Sequence, residues 1–280
     1  MIKVNNEIIK LSKFPDGTLA FNKENMQNIW LGKMLMSTDC PIHITWHFES
    51  NEEMTALMFI TEHLRSQGAT HIELIMPYVP NSRMDRVKST DDVFTLKYFC
   101  NFINWLNFKR VTVLDPHSYV SEALINNVCV KHSDEYILLA IKSLGKGYPG
   151  MSREDWMVFY PDEGAMKRYS DSLGYKYAFG IKRREWETGK IKGLDVAGCT
   201  GDIKDKVILI IDDICSKGGT FYHSAKKLKE LGAKEVYLFV THCENTIFEG
   251  ELLKTDLIKK IYTTDSLITK EHEKIEVFKI

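Results

Sequence analysis

Apolar runs that end at turn residues alternate along most of the chain with amphipathic stretches. The runs predict strands at 72–76, 111–114, 156–160, 207–211, 236–240 and 275–280. Residues 94–106 and 221–231 place apolar side chains on one face at helical spacing, and Gly232 ends the second stretch. Strands that alternate with helices are typical of β/α units around largely parallel sheets, so the pattern predicts the α/β class.

The β/α rhythm occurs on both sides of a stretch at 126–149, in which Lys, Gly and Pro accumulate and no strand pattern is visible. A chain of 280 residues exceeds one small domain and suffices for two compact units, each with its own core. We therefore predict two domains, residues 1–130 and 131–280. The halves share a pattern, but no convincing identity relates them.

Composition indicates a folded protein that acts on small molecules. Charged residues make up 27% of the chain and hydrophobic residues 44%, and the formal net charge is −1, so no nucleic-acid or membrane partner is indicated. No apolar run has the length of a membrane span, and residues 1–13 lack a signal-peptide core, so we expect a cytoplasmic protein. Six cysteines without CxxC pairs predict reduced thiols, with Cys100 and Cys129 in the core and Cys215 as a candidate accessible thiol.

The sharpest chemical signal is the run Val-Ile-Leu-Ile-Ile-Asp-Asp-Ile-Cys-Ser-Lys-Gly-Gly-Thr at 207–220. Beyond the carboxyl end of a parallel strand, the free N–H groups of a helix N-terminus bind phosphate, and Gly218 and Gly219 let the backbone approach the anion. Asp212 and Asp213 suit the hydroxyls of a ribose, or a Mg²⁺ ion held through water. The alternative is a tight strand-to-helix turn whose aspartates cap the helix.

This run resembles the phosphoribosyl diphosphate motif of type I phosphoribosyltransferases and of ribose-phosphate pyrophosphokinases. Three further segments resemble the second family: Pro-Tyr-Val-Pro-Asn-Ser-Arg-Met-Asp-Arg at 77–86, Leu-Asp-Pro-His-Ser at 114–118 and Tyr-Pro-Asp-Glu-Gly at 160–164. The resemblance spans most of the chain. It implies two phosphoribosyltransferase-like domains, each a largely parallel sheet flanked by helices, and Mg²⁺-dependent transfer of a diphosphate from ATP to the 1-hydroxyl of ribose 5-phosphate.

Residue roles follow from the resemblance, position by position. The first half, 1–130, would bind ATP through Phe14, Asp16, Arg83, Asp85, Arg86 and His117. The second half, 131–280, would bind the ribose phosphate through Asp212, Asp213, Ser216, Lys217, Gly218, Gly219 and Thr220. The Mg²⁺ ligands would be His117 and Asp162. The catalytic residues would be Lys182 and Arg184, in a segment that we interpret as a mobile loop running to Lys206.

Physical chemistry agrees with these roles, because moving a diphosphate requires cations against its developing charge, and arginine grips phosphate with two hydrogen bonds. Solvated loops are the alternative interpretation of the basic segments. A loop histidine with no metal role is the alternative for His117. The resemblance also implies a homo-oligomer, a dimer or larger.

Two segments depart from the family pattern. Thr18 stands where the family's loop at 14–18 has glutamate, which leaves adenine selection or the subunit contact open. Ser216 and Lys217 replace an Asp-Thr pair, so the loop has one fewer negative and one more positive charge. That change would suit a more heavily phosphorylated acceptor. Two acceptors are therefore alternatives: ribose 5-phosphate, which would place the protein in nucleotide biosynthesis, and ADP-ribose, which would place it in NAD metabolism.

Two other kinds of function compete with the kinase. A phosphoribosyltransferase would need a base pocket in place of an ATP site, and the cluster of Arg83, Asp85 and Arg86 argues against it. A catalytically silent regulatory homologue would bind similar partners without turnover, and Lys182 and Arg184 argue against that function.

Overall fold

The structure, a computed structural model, describes residues 1–34, 40–184, 191–199 and 202–280, and only the backbone of 30–34, 182–184 and 191–194. The chain divides into two compact units, Met1–His132 and Ser133–Ile280. Each unit has its own sheet and its own hydrophobic core. Among the described helices, none is long and apolar enough to cross a membrane.

The described part of the first unit combines short strands with four helices. Its strands are β1 (Ile2–Val4), β2 (Glu7–Ile8), β3 (Leu11–Lys13), β4 (Leu19–Phe21), β5 (Ile42–Trp46), β6 (Ile72–Ile75), β7 (Arg110–Leu114) and β8 (Val128–Lys131). Its helices are α1 (Lys23–Met34), α2 (Glu52–Ser66), α3 (Thr95–Trp105) and α4 (Tyr119–Leu124). The sheet has the order β2-β1-β5-β6-β7-β8, with β5 to β8 parallel, and β3 and β4 form a separate hairpin.

Side-chain spacing explains how the first core closes. Strand β5 buries every second residue, including Trp46, because successive side chains of a strand point to opposite faces. Helix α3 buries Leu96, Phe99, Cys100 and Ile103, which share one face at three- and four-residue intervals. The rings of Trp46 and Phe99 meet with their centroids 6.1 Å apart, so the helix packs directly on the sheet.

The second unit repeats this architecture with longer strands. Its strands are β9 (Trp156–Tyr160), β10 (Tyr177–Arg184), β11 (Ile191–Gly198), β12 (Val207–Cys215), β13 (Glu235–Cys243), β14 (Ile261–Thr264) and β15 (Ile275–Phe278). Its helices are α5 (Asp134–Gly145), α6 (Glu163–Leu173) and α7 (Gly219–Glu230). In the order β11-β10-β9-β12-β13-β14-β15, only β11 pairs antiparallel with its neighbour among the described strands.

The predicted α/β class, with largely parallel sheets flanked by helices, is confirmed. Other local predictions are wrong. The stretch 126–149 contains β8 and α5, and much of the predicted loop from Gly180 consists of β10 and β11. Cys129 is exposed and Cys215 is buried, whereas the sequence favoured the opposite for both.

Candidate functional site

The acidic pair, Asp212 and Asp213, lies within β12, which continues to Cys215. Strand β12 pairs with β9 on one side and β13 on the other, so its apolar run is buried throughout. Asp212 is half-buried and Asp213 is buried. Carboxylates at this depth need partners, because an unpaired buried charge is costly.

Asp213 has such a partner in α6. The Arg168 guanidinium donates to Oδ2 of Asp213 across 3.0 Å, and about a fifth of the Arg168 side chain is exposed, 21%. Sequence reasoning missed Arg168. Its position six residues after Asp162, on a helix that opens at the same edge of the sheet, is the signal that could have identified it.

Asp212 has an environment that disfavours its charge. Burial and, after it, the neighbouring carboxylates of Asp213 and Asp162 raise the pKa of Asp212 well above its ordinary value. Asp162 caps α6, where its Oδ1 accepts from the N–H of Ala165 at 3.1 Å. Three carboxylates of one unit therefore concentrate negative charge at the carboxyl ends of β9 and β12.

The loop after β12 has the form of an anion site. Gly218 adopts a left-handed conformation, φ 78°, and forms the N-cap of α7, which runs for 12 residues. Because glycine has no side chain to cap the helix, the first N–H groups of α7 are left for another acceptor. Gly219 is exposed and Thr220 half-buried at this end of the helix.

Ser216 and Lys217 are held by the segment that follows β13. The Ser216 hydroxyl donates to Oε2 of Glu244 at 2.7 Å. The Lys217 ammonium forms an ion pair with Glu249 at 3.0 Å, and its side chain is 65% exposed. The structure therefore shows Lys217 paired at the surface, where the ion pair contributes little to stability.

Gly250→Ala is expected to destabilise the protein by about 1–3 kcal/mol, the usual range for overpacking. A Cβ added at Gly250 would overlap the carbonyl oxygen of Lys217, although the backbone of Gly250, φ −89°, would accept alanine. Gly145→Ala is the matched control, because an added Cβ there meets nothing within 4 Å and Gly145 lies in α5. Urea unfolding measures both, and equal free energies of unfolding for the two variants would contradict the expectation.

In the first unit, four of the predicted ATP-binding residues line one pocket of about 220 Å³. They are Arg83, Asp85, Arg86 and His117. Met84, Lys88 and Asp92 also line the pocket. The two arginines are exposed, as a ligand clamp requires. The residues that sequence reasoning missed are Lys88 and Asp92.

Asp92 shapes the wall of this pocket through its backbone contacts. Its Oδ2 accepts from the N–H groups of Lys88 at 2.8 Å and Ser89 at 3.0 Å. These two hydrogen bonds lower the pKa of Asp92. Basic residues recur from Arg83 through Arg86 to Lys88, and this recurrence is the sequence signal that could have identified the lysine.

His117 enters the pocket from the turn after β7. Asp115, buried at that turn, has a φ of 42°, which is rare for a residue other than glycine. Its N–H donates to the carbonyl of Lys131 at 2.8 Å. Aspartate adopts this left-handed conformation more readily than most residues. The turn directs the chain from β7 to His117 at the pocket.

Phe14 and Asp16 lie on the tip of the β3–β4 hairpin and do not line that pocket. The Asp16 carboxylate accepts from the N–H of Thr18 at 2.9 Å and from its hydroxyl at 2.7 Å. These hydrogen bonds lower the pKa of Asp16 and hold the turn. Phe14 is 57% exposed. Thr18, which departs from the family pattern, therefore stabilises the turn that presents Phe14.

Lys182 and Arg184 belong to the backbone of β10, opposite Leu194 and Ile191 of β11. A register irregularity lies between Arg183 and Arg184. The side chains of the two predicted catalytic residues lie outside the described part of the structure, and so do residues 185–190.

Comparison with known proteins identifies relatives along nearly the whole chain. Residues 190–280 match the family model described as the phosphoribosyl synthetase-associated domain. The ribose-phosphate pyrophosphokinase of Bacillus subtilis is 28% identical over 272 residues, 96% of this chain and 80% of the relative. That of Fusobacterium nucleatum is 29% identical over 274 residues, 97% of this chain and 82% of the relative.

A solved structure extends the likeness to the fold. The phosphoribosylpyrophosphate synthetase of Mycobacterium smegmatis matches with a TM-score of 0.74 and 20% identity, over 98% of this chain and 86% of that chain. The chain is therefore similar to ribose-phosphate pyrophosphokinases along nearly its whole length, and it shares the α/β fold of the phosphoribosylpyrophosphate synthetase.

Proposed function

We propose that the protein is an ATP-dependent pyrophosphokinase that transfers the β,γ-diphosphate of ATP to the 1-hydroxyl of ribose 5-phosphate and releases AMP. The observation that carries the proposal is the similarity, over 96% and 97% of the chain, to relatives named ribose-phosphate pyrophosphokinase. The gathering of Arg83, Asp85, Arg86 and His117 around one pocket supports it.

The two units contribute groups that suit different substrates. Arg83 and Arg86, both exposed at the pocket of the first unit, would hold the triphosphate of ATP, since arginine binds phosphate oxygens in pairs. In the second unit, the acidic pair would accept hydrogen bonds from the ribose hydroxyls. The uncapped N-terminus of α7 would hold the 5-phosphate through its N–H groups.

The transfer makes one phosphorus–oxygen bond and breaks another. The oxygen of the 1-hydroxyl bonds to the β-phosphorus of ATP, the bond from that phosphorus to the α,β-bridging oxygen breaks, and AMP leaves with the electron pair. The hydroxyl proton is released. Because charge builds on the phosphate oxygens, fixed cations accelerate this step, which is the role that we propose for Lys182 and Arg184.

The residues present fit a Mg²⁺ ion. The raised pKa of Asp212 beside Asp162 and Asp213 marks a site where a divalent cation would relieve repulsion. In the described part of the chain, no three His, Cys, Asp or Glu side chains are arranged to hold a metal by themselves. Mg²⁺ usually takes one or two carboxylates and completes its shell with substrate phosphates and water. Asp162 is the ligand that we propose in the second unit and His117 the one in the first unit, and the ion would neutralise phosphate charge.

The larger acceptor, ADP-ribose, receives no support from the geometry. Its case depended on Lys217 facing the acceptor phosphate, whereas that ammonium pairs with Glu249 at the surface. Ribose 5-phosphate is therefore the acceptor that we propose.

An assay of AMP release tests the function. The protein is incubated with ATP and Mg²⁺, and with ribose 5-phosphate, ADP-ribose or no acceptor, and nucleotides are separated by chromatography. We expect AMP to form with ribose 5-phosphate and not without an acceptor. Formation of ADP, or equal AMP release with and without an acceptor, would contradict the proposal. A preference for ADP-ribose would contradict the assigned substrate.

A further inference from the structure

The segment after β13 lies directly against the loop that follows β12. The two strands end side by side, with Cys215 opposite Cys243 in the register. One further backbone hydrogen bond joins them beyond that pair, from the N–H of Glu244 to the carbonyl of Cys215, at 2.8 Å. The pairing of the strands therefore continues to the residue that precedes Ser216.

Glu244 then ties the loop to its neighbour through a side chain. Its Oε2 accepts the Ser216 hydroxyl at 2.7 Å and the Thr246 hydroxyl at 3.0 Å. Glu244 is half-buried, so solvent competes for these hydrogen bonds less than at an exposed site. Two hydroxyl donors on one oxygen also fix the carboxylate, and with it the position of Ser216.

Close packing extends this contact beneath the loop. The carbonyl of Lys217 lies against Gly250, which has no room for a Cβ. A Cβ at Gly218 would overlap Leu252, so the left-handed residue that starts α7 rests on the same segment. The segment 244–252 thus supports three consecutive residues of the loop, Ser216, Lys217 and Gly218.

This support matters for binding because a loop that holds an anion by its backbone must keep its N–H groups aimed at one point. A flexible loop loses conformational entropy when the anion binds, and a fixed one does not. The Ser216 hydroxyl has a single proton, which Glu244 accepts, so this hydroxyl does not donate to an incoming phosphate while that hydrogen bond is in place. An effect of Glu244 on phosphate binding would therefore pass through the position of Ser216.

We propose that Glu244 is a positioning residue that holds the loop 216–220 ready for the 5-phosphate of the acceptor. The role of the loop as the acceptor site rests on the proposed function. The supporting contact is a hydrogen bond between the side chain that follows β12 and the side chain that follows β13. Because Glu244 lies outside the loop, the sequence motif of the loop does not include it.

Three variants test this role. Glu244→Ala removes the acceptor of the Ser216 proton, and Glu244→Gln keeps an acceptor oxygen with nearly the same shape. Glu251→Ala is the control, since Glu251 belongs to the same segment but pairs with Lys254 at the surface, with 67% of its side chain exposed. We expect Glu244→Ala to raise the KM for ribose 5-phosphate about tenfold, the loss of one hydrogen bond to a charged group. The KM for ATP should change less than about twofold, and Glu244→Gln should recover most of the loss.

A second measurement is independent of turnover. Hydrogen exchange of the peptide that contains 216–220 should be faster in Glu244→Ala than in the wild-type protein, and unchanged in Glu251→Ala. Unchanged exchange and an unchanged KM in Glu244→Ala would overturn the proposal, and so would a Gln variant as impaired as the Ala variant. If the wild-type protein fails to release AMP from ATP and ribose 5-phosphate, but Glu244→Ala still loosens the loop, the proposed function fails and the anchoring stands.

Discussion

Lys182→Ala and Arg184→Ala are each expected to lower kcat by about 10²- to 10³-fold, the usual cost of removing one group that stabilises developing charge. The KM for ATP should change only a few-fold, because an interaction made mainly in the transition state contributes little to the ground state. Steady-state kinetics with saturating ribose 5-phosphate measures both constants.

Arg183→Ala is the matched control for these variants, because it removes one charge from the same basic run of β10. It should keep kcat within a few-fold of the wild-type value. Equal losses of kcat for all three variants would mean that the net charge of the strand matters and not the two positions. An unchanged kcat in Lys182→Ala and Arg184→Ala would leave the segment without a catalytic role.

Asp212→Asn and Asp213→Asn are expected to have opposite effects on stability while both lower activity. Asp213→Asn removes the negative partner of Arg168, in a pair where the Asp213 side chain is only 8% exposed, and should cost about 3–5 kcal/mol of unfolding free energy. Asp212→Asn removes a charge that burial and two carboxylates disfavour, so it should stabilise the protein. Both should lower kcat/KM for ribose 5-phosphate about 10- to 100-fold through weaker hydrogen bonds to its hydroxyls.

The pH dependence of stability separates Asp212 from its neighbour. Because the pKa of Asp212 is higher in the folded than in the unfolded protein, the folded state binds more protons between those two values. The free energy of unfolding should therefore fall as pH rises through that window, and Asp212→Asn should remove this part of the slope. Chemical denaturation at a series of pH values measures it, and an identical slope in wild type and Asp212→Asn would contradict the assignment.

Much of the fold follows from local pattern. The apolar run before Asp212 predicts a buried strand because parallel strands covered on both faces need continuous hydrophobicity, and β12 has that form. The antiparallel pair β10 and β11 was missed because Lys, Arg and Gly residues interrupt its apolar positions. Helix α5 was missed because Gly and Pro residues follow it closely, and the whole stretch 126–149 was therefore predicted to lack a strand pattern and to connect the two domains.

The candidate site follows less completely from sequence, and the reason is distance along the chain. Arg83 and Arg86 are neighbours in a motif, and the structure brings both to one pocket. Arg168 lies 45 residues before its partner Asp213, and Ser216 lies 28 residues before its acceptor Glu244. Such pairs depend on which strands are adjacent in the sheet, and a single sequence does not specify that order.

The most direct test of the central claim is the ³¹P spectrum of the products formed from ATP, Mg²⁺ and ribose 5-phosphate. We predict two mutually coupled diphosphate resonances, one of them coupled to the anomeric proton, together with an unchanged 5-phosphate resonance and an equal amount of AMP. A single new phosphate on the sugar with ADP as the other product, or a diphosphate built on the 5-phosphate, would contradict the account.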